Sequence, residues 1–259
     1  MLTHTRYLRQ GPDYRFGEPQ SFLTVRDTFG FASVRVGRWV SDEESQIAAN
    51  LIFDSLADLA FILNVPPNTL GLRQSLNLDF GIGGQKGVQA HYAPGSRTLA
   101  LAKNAGAGAL AHEFWHALDH HLASAAFVTP PDLAISFASD LWLQEYPLKK
   151  HPLNEALASL LQTVLLCDNG ANPSVYVQQS VTLDKAHGIY YFSRPTELMA
   201  RAFESAIAHC APIRNQYLVS GTQDVLAHEK PAYPALDVLP DIFAAIQQYF
   251  QLLGKMLSA

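Results

Sequence analysis

Cysteine, net charge and long apolar runs are all scarce in this chain. Only two of its 259 residues are cysteines, Cys167 and Cys210, and they lack the C-x-x-C spacing of a metal clip. We therefore expect two buried thiols rather than a disulfide or a structural zinc site. The net charge of −5 gives no reason to expect nucleic acid as a partner.

Apolar runs long enough for a membrane are also missing from the sequence. The longest candidate, residues 156–167, is too short to cross a bilayer and is typical of a buried helix. The first ten residues lack the apolar centre of a signal peptide. We therefore expect a cytoplasmic protein with no membrane partner, and the sequence leaves the oligomeric state open.

A phosphate-binding loop is excluded as well. The glycine-rich residues 81–87 lack the Gly-Lys-Ser/Thr that cradles phosphate, and we interpret them as a flexible turn.

Local patterns predict a mostly helical protein with a small sheet. Residues 33–40 alternate like a strand. Ser41 and Glu44 form a capping box ahead of a helix over residues 47–63, which should end at the Pro66-Pro67 break. Two short strands at 88–92 and 97–102, joined by a tight loop, precede an apolar helix. Further helices are expected over residues 152–166 and about 240–257.

That apolar helix carries the motif His112-Glu113-Phe114-Trp115-His116. Residues four apart share one helix face, so both imidazoles can reach one metal ion. Glu113 is rotated by about 100° from His112, which lets it take a proton from a metal-bound water. The alternative is a fortuitous histidine pair, either exposed or satisfied in the core. The apolar flanks favour the metal site, because buried histidines and a carboxylate are costly without a ligand.

The third metal ligand has to come from another segment. No glycine follows His116 to turn the chain toward a nearby histidine, and a straight helix cannot bring His120 to the same ion, so we expect His120 and His121 to be exposed. The best candidate is Glu197, with Glu204 in reserve. The alternative is an exposed intrahelical salt bridge linking Glu197, Arg201 and Glu204.

The sequence also offers candidates for residues that assist the metal ligands, but their patterns are less specific. Asp119, one turn after His116, could orient a ligand imidazole, or it could be a solvated helix residue. Candidate donors to a developing oxyanion are Tyr190, Tyr191, His187 and Arg201, although each could equally be structural.

Three segments carry a resemblance to known families: GVQAHY at 87–92, LALAKNAGAGALAHEFWHALD at 99–119 and ELMARAFE at 197–204. They resemble the zincin-like family labelled CLCA_X and the first type of large polyvalent protein-associated domain, over about residues 29–205. The resemblance implies a zincin-like fold and a metallopeptidase whose third ligand is a later glutamate. Arg201 stands where better-studied gluzincins have an acid.

The resulting expectation is an α+β, zincin-like single domain over residues 1–259, with its core at about 29–210. It would bind one Zn²⁺ per chain through His112, His116 and Glu197, and hydrolyse peptide or amide bonds in a peptide or protein substrate, with Glu113 as the general base. The alternative is a non-catalytic zincin-like module that binds metal or a protein partner.

Overall fold

The computed structural model describes residues 7–82, 90–103, 108–129, 135–220 and 232–257, with the side chain of Cys210 excepted. The helices, in chain order, are α1 Phe22–Phe29, α2 Asp42–Leu63, α3 Leu110–Ala126, α4 Ala138–Leu143, α5 Pro152–Leu165, α6 Val175–His187, α7 Pro195–Cys210 and α8 Leu239–Leu257. The strands are β1 Arg9–Gln10, β2 Ser33–Val36, β3 Asn77–Phe80, β4 Ala90–Ala93, β5 Thr98–Leu101, β6 Leu166–Cys167, β7 Asn172–Pro173 and β8 Arg214–Asn215. The fold is α+β and mostly helical, as the sequence predicts.

The chain divides into two compact units, and α3 continues through the point of division. Unit 1 comprises residues 1–117 and 212–220, and unit 2 comprises residues 118–211 and 221–259. The prediction of one domain stays a prediction.

Unit 1 is built on a four-stranded mixed sheet in the order β2-β3-β5-β4. The first three strands of that order are parallel, and β4 pairs antiparallel with β5. All four residues of β5 are buried, which fits a strand paired on both sides. The predicted hairpin before α3 is therefore confirmed, with residues 88–89 of its first strand outside the described part of the chain.

Residues 212–220 are bound to the rest of unit 1 by a strand pair and by hydrogen bonds. β8 pairs with β1, and Asn215 donates to the carboxylate of Asp58 on α2 at 2.8 Å. Arg9 donates to both oxygens of that carboxylate at 2.7 Å. Because Asp58 is fully buried, these donors offset the cost of taking its charge out of water.

Residues 212–220 also contact the chain at the start of α3. Gly108 has a φ of +92°, and a Cβ at this position would collide with the backbone and side chain of Ser220. The Gly108 N–H donates to Tyr217 O at 3.0 Å, and the Ala111 N–H donates to Leu218 O at 3.1 Å. Only glycine allows this close approach, which orients the first turn of the motif helix.

Unit 2 is a helical assembly in which α8 packs on α5 and α7, and α5 also packs on α7. The buried faces are apolar, with Leu160 on α5, Phe203 on α7 and Ile246 on α8 each at most 1% exposed. A small two-stranded sheet, β6 with β7, lies between α5 and α6 in sequence.

Several helix boundaries follow the sequence signals closely. The capping box of Ser41 and Glu44 is present, and α2 ends at Asn64 in the left-handed conformation. α5 begins at Pro152 and α7 at Pro195, each at the first helical turn. The predicted helices over 152–166 and 240–257 match α5 and α8 within one residue.

Other elements were not predicted. α1, β3, α4 and α6 have no counterpart among the predicted elements. α6 contains several β-branched residues, which have lower helix propensity, and α4 is only six residues long. The strand predicted over residues 33–40 ends at Val36. The predicted glycine-rich turn lies largely outside the described residues.

Among the described residues, one helix has the length and composition of a membrane span. This is α2, whose most apolar 18-residue window has a mean hydropathy of 1.5 and is 67% buried inside the protein. The prediction that no segment is long and apolar enough is therefore wrong for α2. A mostly buried core helix can have the same length and composition. On α2, Asp54 forms an ion pair with Arg15 and Asp58 forms one with Arg9.

Candidate metal centre

The motif helix places two imidazoles against each other. His112 and His116 lie one turn apart on α3, and their Nε2 atoms are 3.1 Å apart. Phe114, Trp115 and Ala117 are at most 2% exposed, whereas the two histidines and Glu113 are half-buried. The helix is thus anchored by its apolar residues, and the three polar groups of the motif remain partly accessible.

Helix α7 supplies a carboxylate to the same point. One ligand atom each from His112, His116 and Glu197 lie within 4.8 Å of one another. All three side chains are half-buried. Of the two glutamates considered from the sequence, Glu197 is therefore the one that joins the histidines in a possible metal-binding triad.

The donor set suits a zinc ion. Zinc accepts imidazole nitrogen and carboxylate oxygen at about 2.0–2.2 Å, so donors on one tetrahedral ion lie roughly 3.3–3.6 Å apart. The 3.1 Å separation of the imidazole nitrogens is close to this value, and the 4.8 Å limit for the whole set exceeds it by about 1 Å. Small side-chain rotations would bring the three donors to one ion.

A buried arginine is bonded to the candidate ligand Glu197. Arg201 Nη2 donates to Glu197 Oε2 at 2.9 Å, and the two side chains are only 5% and 13% exposed. The sequence alternative of an exposed salt bridge is therefore wrong in one respect: the pair exists, but Arg201 is buried and Glu197 is half-buried. Glu204 is also buried, at 5% exposure.

Aromatic rings of the preceding turn surround the guanidinium of Arg201. The guanidinium carbon lies 4.9 Å from the centre of the Tyr191 ring and 5.1 Å from that of Phe192. Burial raises the pKa of Tyr191, and the charge of Glu197 and a hydrogen bond to it raise it further. Tyr191 and Arg201 are thus the two predicted oxyanion donors that interact with Glu197.

One carboxylate holds this aromatic turn in place. Asp184, near the end of α6, accepts hydrogen bonds from the backbone N–H groups of Tyr191, Phe192 and Ser193 and from the Ser193 hydroxyl. Burial raises the pKa of Asp184, but the four hydrogen bonds outweigh it and lower the pKa below its usual value. Asp184 therefore stays ionised and fixes the chain ahead of α7.

Asp119 is buried and its carboxylate binds helix α4, while its predicted role in orienting a ligand imidazole stays a prediction. It is 1% exposed, so the solvated interpretation is wrong. Its Oδ1 accepts from Ser139 N at 2.8 Å and its Oδ2 from Ser139 Oγ at 2.6 Å. Both carboxylate oxygens thus bond the first turn of α4, whose own N-cap residue Phe137 makes no side-chain bond. Burial raises the pKa of Asp119 to about 7.

The remaining predicted residues differ in their exposure. His187 and Tyr190 are exposed, and the Tyr190 ring stacks with Arg194 at 5.5 Å. The predicted exposure of His120 is wrong, since it is 8% exposed and its ring lies 5.4 Å from that of Phe137. Cys167 is half-buried rather than buried, and it is a free thiol.

Asp184 and Phe192 were missed by the sequence reasoning. Asp184 lies thirteen residues before Glu197 in a segment with no recognised motif. Its partners are backbone N–H groups, which leave no signature in side-chain spacing. The glycine that ends α6 in the left-handed conformation, Gly188, was the only local signal that the chain turns here.

Comparison with known proteins gives one family match. Residues 183–257 match the family described as large polyvalent protein-associated domain 1. The match covers less than a third of the chain and includes α7 and α8 but not the H-E-x-x-H helix. That part of the predicted resemblance is confirmed, whereas the predicted extent, residues 29–205, overlaps the match only from residue 183. The chain matches no curated protein and no solved structure.

Proposed function

We propose that this protein is a zinc-dependent metallopeptidase of the zincin-like kind, akin to the CLCA_X family, with His112, His116 and Glu197 as the metal ligands. The observation that carries the proposal is the convergence of these three donors within 4.8 Å. The two histidines belong to an H-E-x-x-H helix, a motif in which the intervening glutamate serves as the general base of metallopeptidases.

Each residue has a chemical task in this proposal. When bound, zinc would lower the pKa of a coordinated water toward about 7 and polarise the substrate carbonyl. Glu113 accepts the proton of the attacking water and then delivers it to the leaving amine. Arg201 and Tyr191 hold the carboxylate of Glu197, through which they influence the metal site.

The substrate class that fits best is an extended peptide. Within the described residues, β4 pairs with β5 and has no strand on its other side, and His91 on β4 is exposed. An extended peptide can add to such an edge through backbone hydrogen bonds. The strand belongs to unit 1, as do His112 and His116.

Metal content provides the first test. The purified protein should bind about one zinc per chain, and His112→Ala or His116→Ala should abolish that binding. His121→Ala is the matched control, because His121 is on the same helix and outside the triad. Full zinc occupancy in the His112→Ala variant, measured by elemental analysis, would rule out this site.

The choice of glutamate is tested in the same way. Glu197→Gln should weaken zinc affinity strongly in a competitive chelator titration, while Glu204→Gln should have a smaller effect. The reverse order would move the ligand to Glu204.

Activity separates an enzyme from a binding module. Wild type should cleave some member of a diverse peptide library, and Glu113→Gln should remove cleavage while zinc content is retained, because it deletes only the proton acceptor. Chelation should stop cleavage and added zinc should restore it. If both proteins are inert across the library and retain zinc, the peptidase proposal is overturned in favour of a non-catalytic metal-binding module.

A further inference from the structure

Three large apolar side chains follow one another on the surface just before the helix that carries Glu197. Ile189 is 47% exposed, Tyr190 63% and Tyr191 41%. Among the described residues, no other run of three consecutive large apolar side chains is exposed. Single exposed apolar residues are ordinary, whereas a contiguous exposed patch is typical of a surface that contacts another molecule. We refer to residues 189–191 as the apolar turn.

The backbone of the apolar turn is held in place by hydrogen bonds. The Ile189 N–H donates to Asp184 O at 3.1 Å, and the Tyr191 N–H donates to the Asp184 carboxylate at 3.1 Å. Arg194 Nε donates to Tyr190 O at 2.8 Å, and the Arg194 guanidinium carbon lies 5.5 Å from the centre of the Tyr190 ring. Because the turn is already ordered, little conformational entropy is lost when a ligand packs against it.

One end of the apolar turn touches the candidate metal ligand. Tyr191 is hydrogen-bonded to Glu197, and both residues belong to unit 2. Consecutive Cα atoms are about 3.8 Å apart, so the Cα atoms of Ile189 and Tyr191 are separated by at most about 7.6 Å. An extended peptide advances about 3.3 Å per residue, so the turn spans the length of about two substrate residues. A peptide whose scissile carbonyl is at the metal would therefore bring the side chains next to that bond within reach of the turn.

We propose that Ile189, Tyr190 and Tyr191 form a specificity subsite, which accepts a large apolar or aromatic side chain of the peptide within two residues of the cleaved bond. The inference rests on the proposed function, since such a subsite requires a reaction at the metal. A large apolar side chain gains free energy by leaving water against these three exposed residues. A small side chain buries less apolar area there, so the subsite discriminates between substrates by size.

A peptide library cleaved by the zinc-loaded full chain tests the proposal. Mass spectrometry of the products identifies the substrate residues on both sides of each cleaved bond. Two peptides that differ only at the preferred position, one with leucine and one with alanine, then give a ratio of kcat/KM. We expect large apolar residues to be enriched and this ratio to be about 10-fold, as for partial burial of one apolar side chain.

A double variant, Ile189→Ser with Tyr190→Ser, removes two of the three apolar side chains and keeps the contact of Tyr191 with Glu197. Its leucine-to-alanine ratio should fall to about 2-fold, with zinc content unchanged. A purely structural effect would lower the cleavage of both peptides alike and keep the ratio. Val175→Ser is the matched control, because Val175 is 64% exposed at the start of α6, outside the apolar turn. This control should keep the ratio of the wild type.

Ile189→Glu provides a second measurement, which a loss of folding cannot imitate. A carboxylate on the turn should attract a basic side chain of the peptide. Cleavage of a peptide with lysine at the preferred position should therefore rise several-fold relative to cleavage of its leucine counterpart. An unchanged lysine-to-leucine ratio would contradict contact between the turn and the substrate.

The outcomes of these experiments distinguish the subsite from the proposed function. If the wild type cleaves peptides without apolar enrichment, or the double variant keeps the ratio, the subsite is overturned and the proposed function stands. A wild-type dimer that the double variant loses in analytical ultracentrifugation, with an unchanged ratio, would assign the turn to self-association instead. A wild-type protein that cleaves nothing in the library overturns the proposed function and this inference with it.

Discussion

The region around Asp119 and the region around Asp184 both use a buried carboxylate to bind the chain near the start of a helix. Asp119 accepts two hydrogen bonds from Ser139 in the first turn of α4. Asp184 accepts four from the turn before α7. The pKa of Asp119 is raised to about 7, whereas the pKa of Asp184 is lowered.

Depth and the number of donors explain the difference. Burial is the largest influence on both acids and raises both pKa values. Asp184 is covered but close to the surface, since residues 185–191 are exposed, and its four donors overcome the desolvation. Asp119 is deeper and has fewer donors, and the charge of Asp140 raises its pKa further. Similar hydrogen bonds can therefore accompany either protonation state.

We expect the largest effect from the pH dependence contributed by Asp119. Its folded-state pKa of about 7 exceeds the value of about 4 in the unfolded chain, so the folded protein keeps a proton that the unfolded chain has lost. Its contribution to stability should fall as the pH rises from about 4 to about 7, by a total of about 4 kcal/mol, and then remain level. Urea unfolding of the metal-free protein from pH 4 to 8 measures this change.

Asp119→Asn is the control for that prediction. The asparagine can accept from Ser139 N and donate to Ser139 Oγ, so it replaces the bonds without an ionisable group. The variant should be about as stable as the wild type at pH 4 and more stable at pH 8. A difference that does not change with pH would contradict the raised pKa.

The next effect concerns Asp184. Asp184→Ala removes the acceptor of four hydrogen bonds and should lower the free energy of unfolding by about 3 kcal/mol. Because the pKa of Asp184 is lowered, its contribution is present above about pH 4 and is lost only at lower pH. The loss should therefore be equal at pH 5 and pH 8, as measured by urea unfolding. A loss that grows between these pH values would show that Asp184 titrates like Asp119.

The smallest effect comes from the two serine hydroxyls. Ser139→Ala and Ser193→Ala each remove one hydroxyl that donates to the acid, which should cost about 1 kcal/mol. For Ser193→Ala the cost should be the same at pH 5 and pH 8. For Ser139→Ala it should be larger at pH 8, where Asp119 is ionised and binds a donor more strongly. Equal behaviour of the two variants would remove the distinction between the regions.

The helix that carries His112 and His116 could be predicted from the sequence because the geometry of the pair is local. Two histidines four residues apart on any helix share a face, and the apolar residues around them indicate a buried helix. The role of Glu197 was harder to predict. Its own segment is equally compatible with a metal ligand and with a salt-bridge partner of Arg201. The structure has both features at once, because Glu197 lies beside the histidines and is bonded to Arg201.

The contacts that depend on distant chain segments could not be predicted. Asp119 was interpreted as solvated or as a partner of an imidazole because α4, which it binds, was itself unpredicted. The Tyr191 and Phe192 rings beside Arg201 are positioned by a turn whose backbone N–H groups donate to Asp184. Every residue type except proline has such an N–H group, so the sequence gives no signal for this turn. Side-chain patterns therefore located the donors of the site but not the residues that support them.

The division of unit 1 into two stretches of chain has a consequence for its biosynthesis. Residues 1–117 leave the ribosome well before residues 212–220, which belong to the same unit. At about 5–20 residues per second, the intervening 94 residues take roughly 5 to 20 s to translate. Through that interval Asp58 lacks its bond from Asn215, and Gly108 lacks its contacts with Tyr217 and Ser220. The start of the motif helix therefore gains its contacts with residues 217–220 late in synthesis. His112 and His116 reach their final positions only after these residues have been translated.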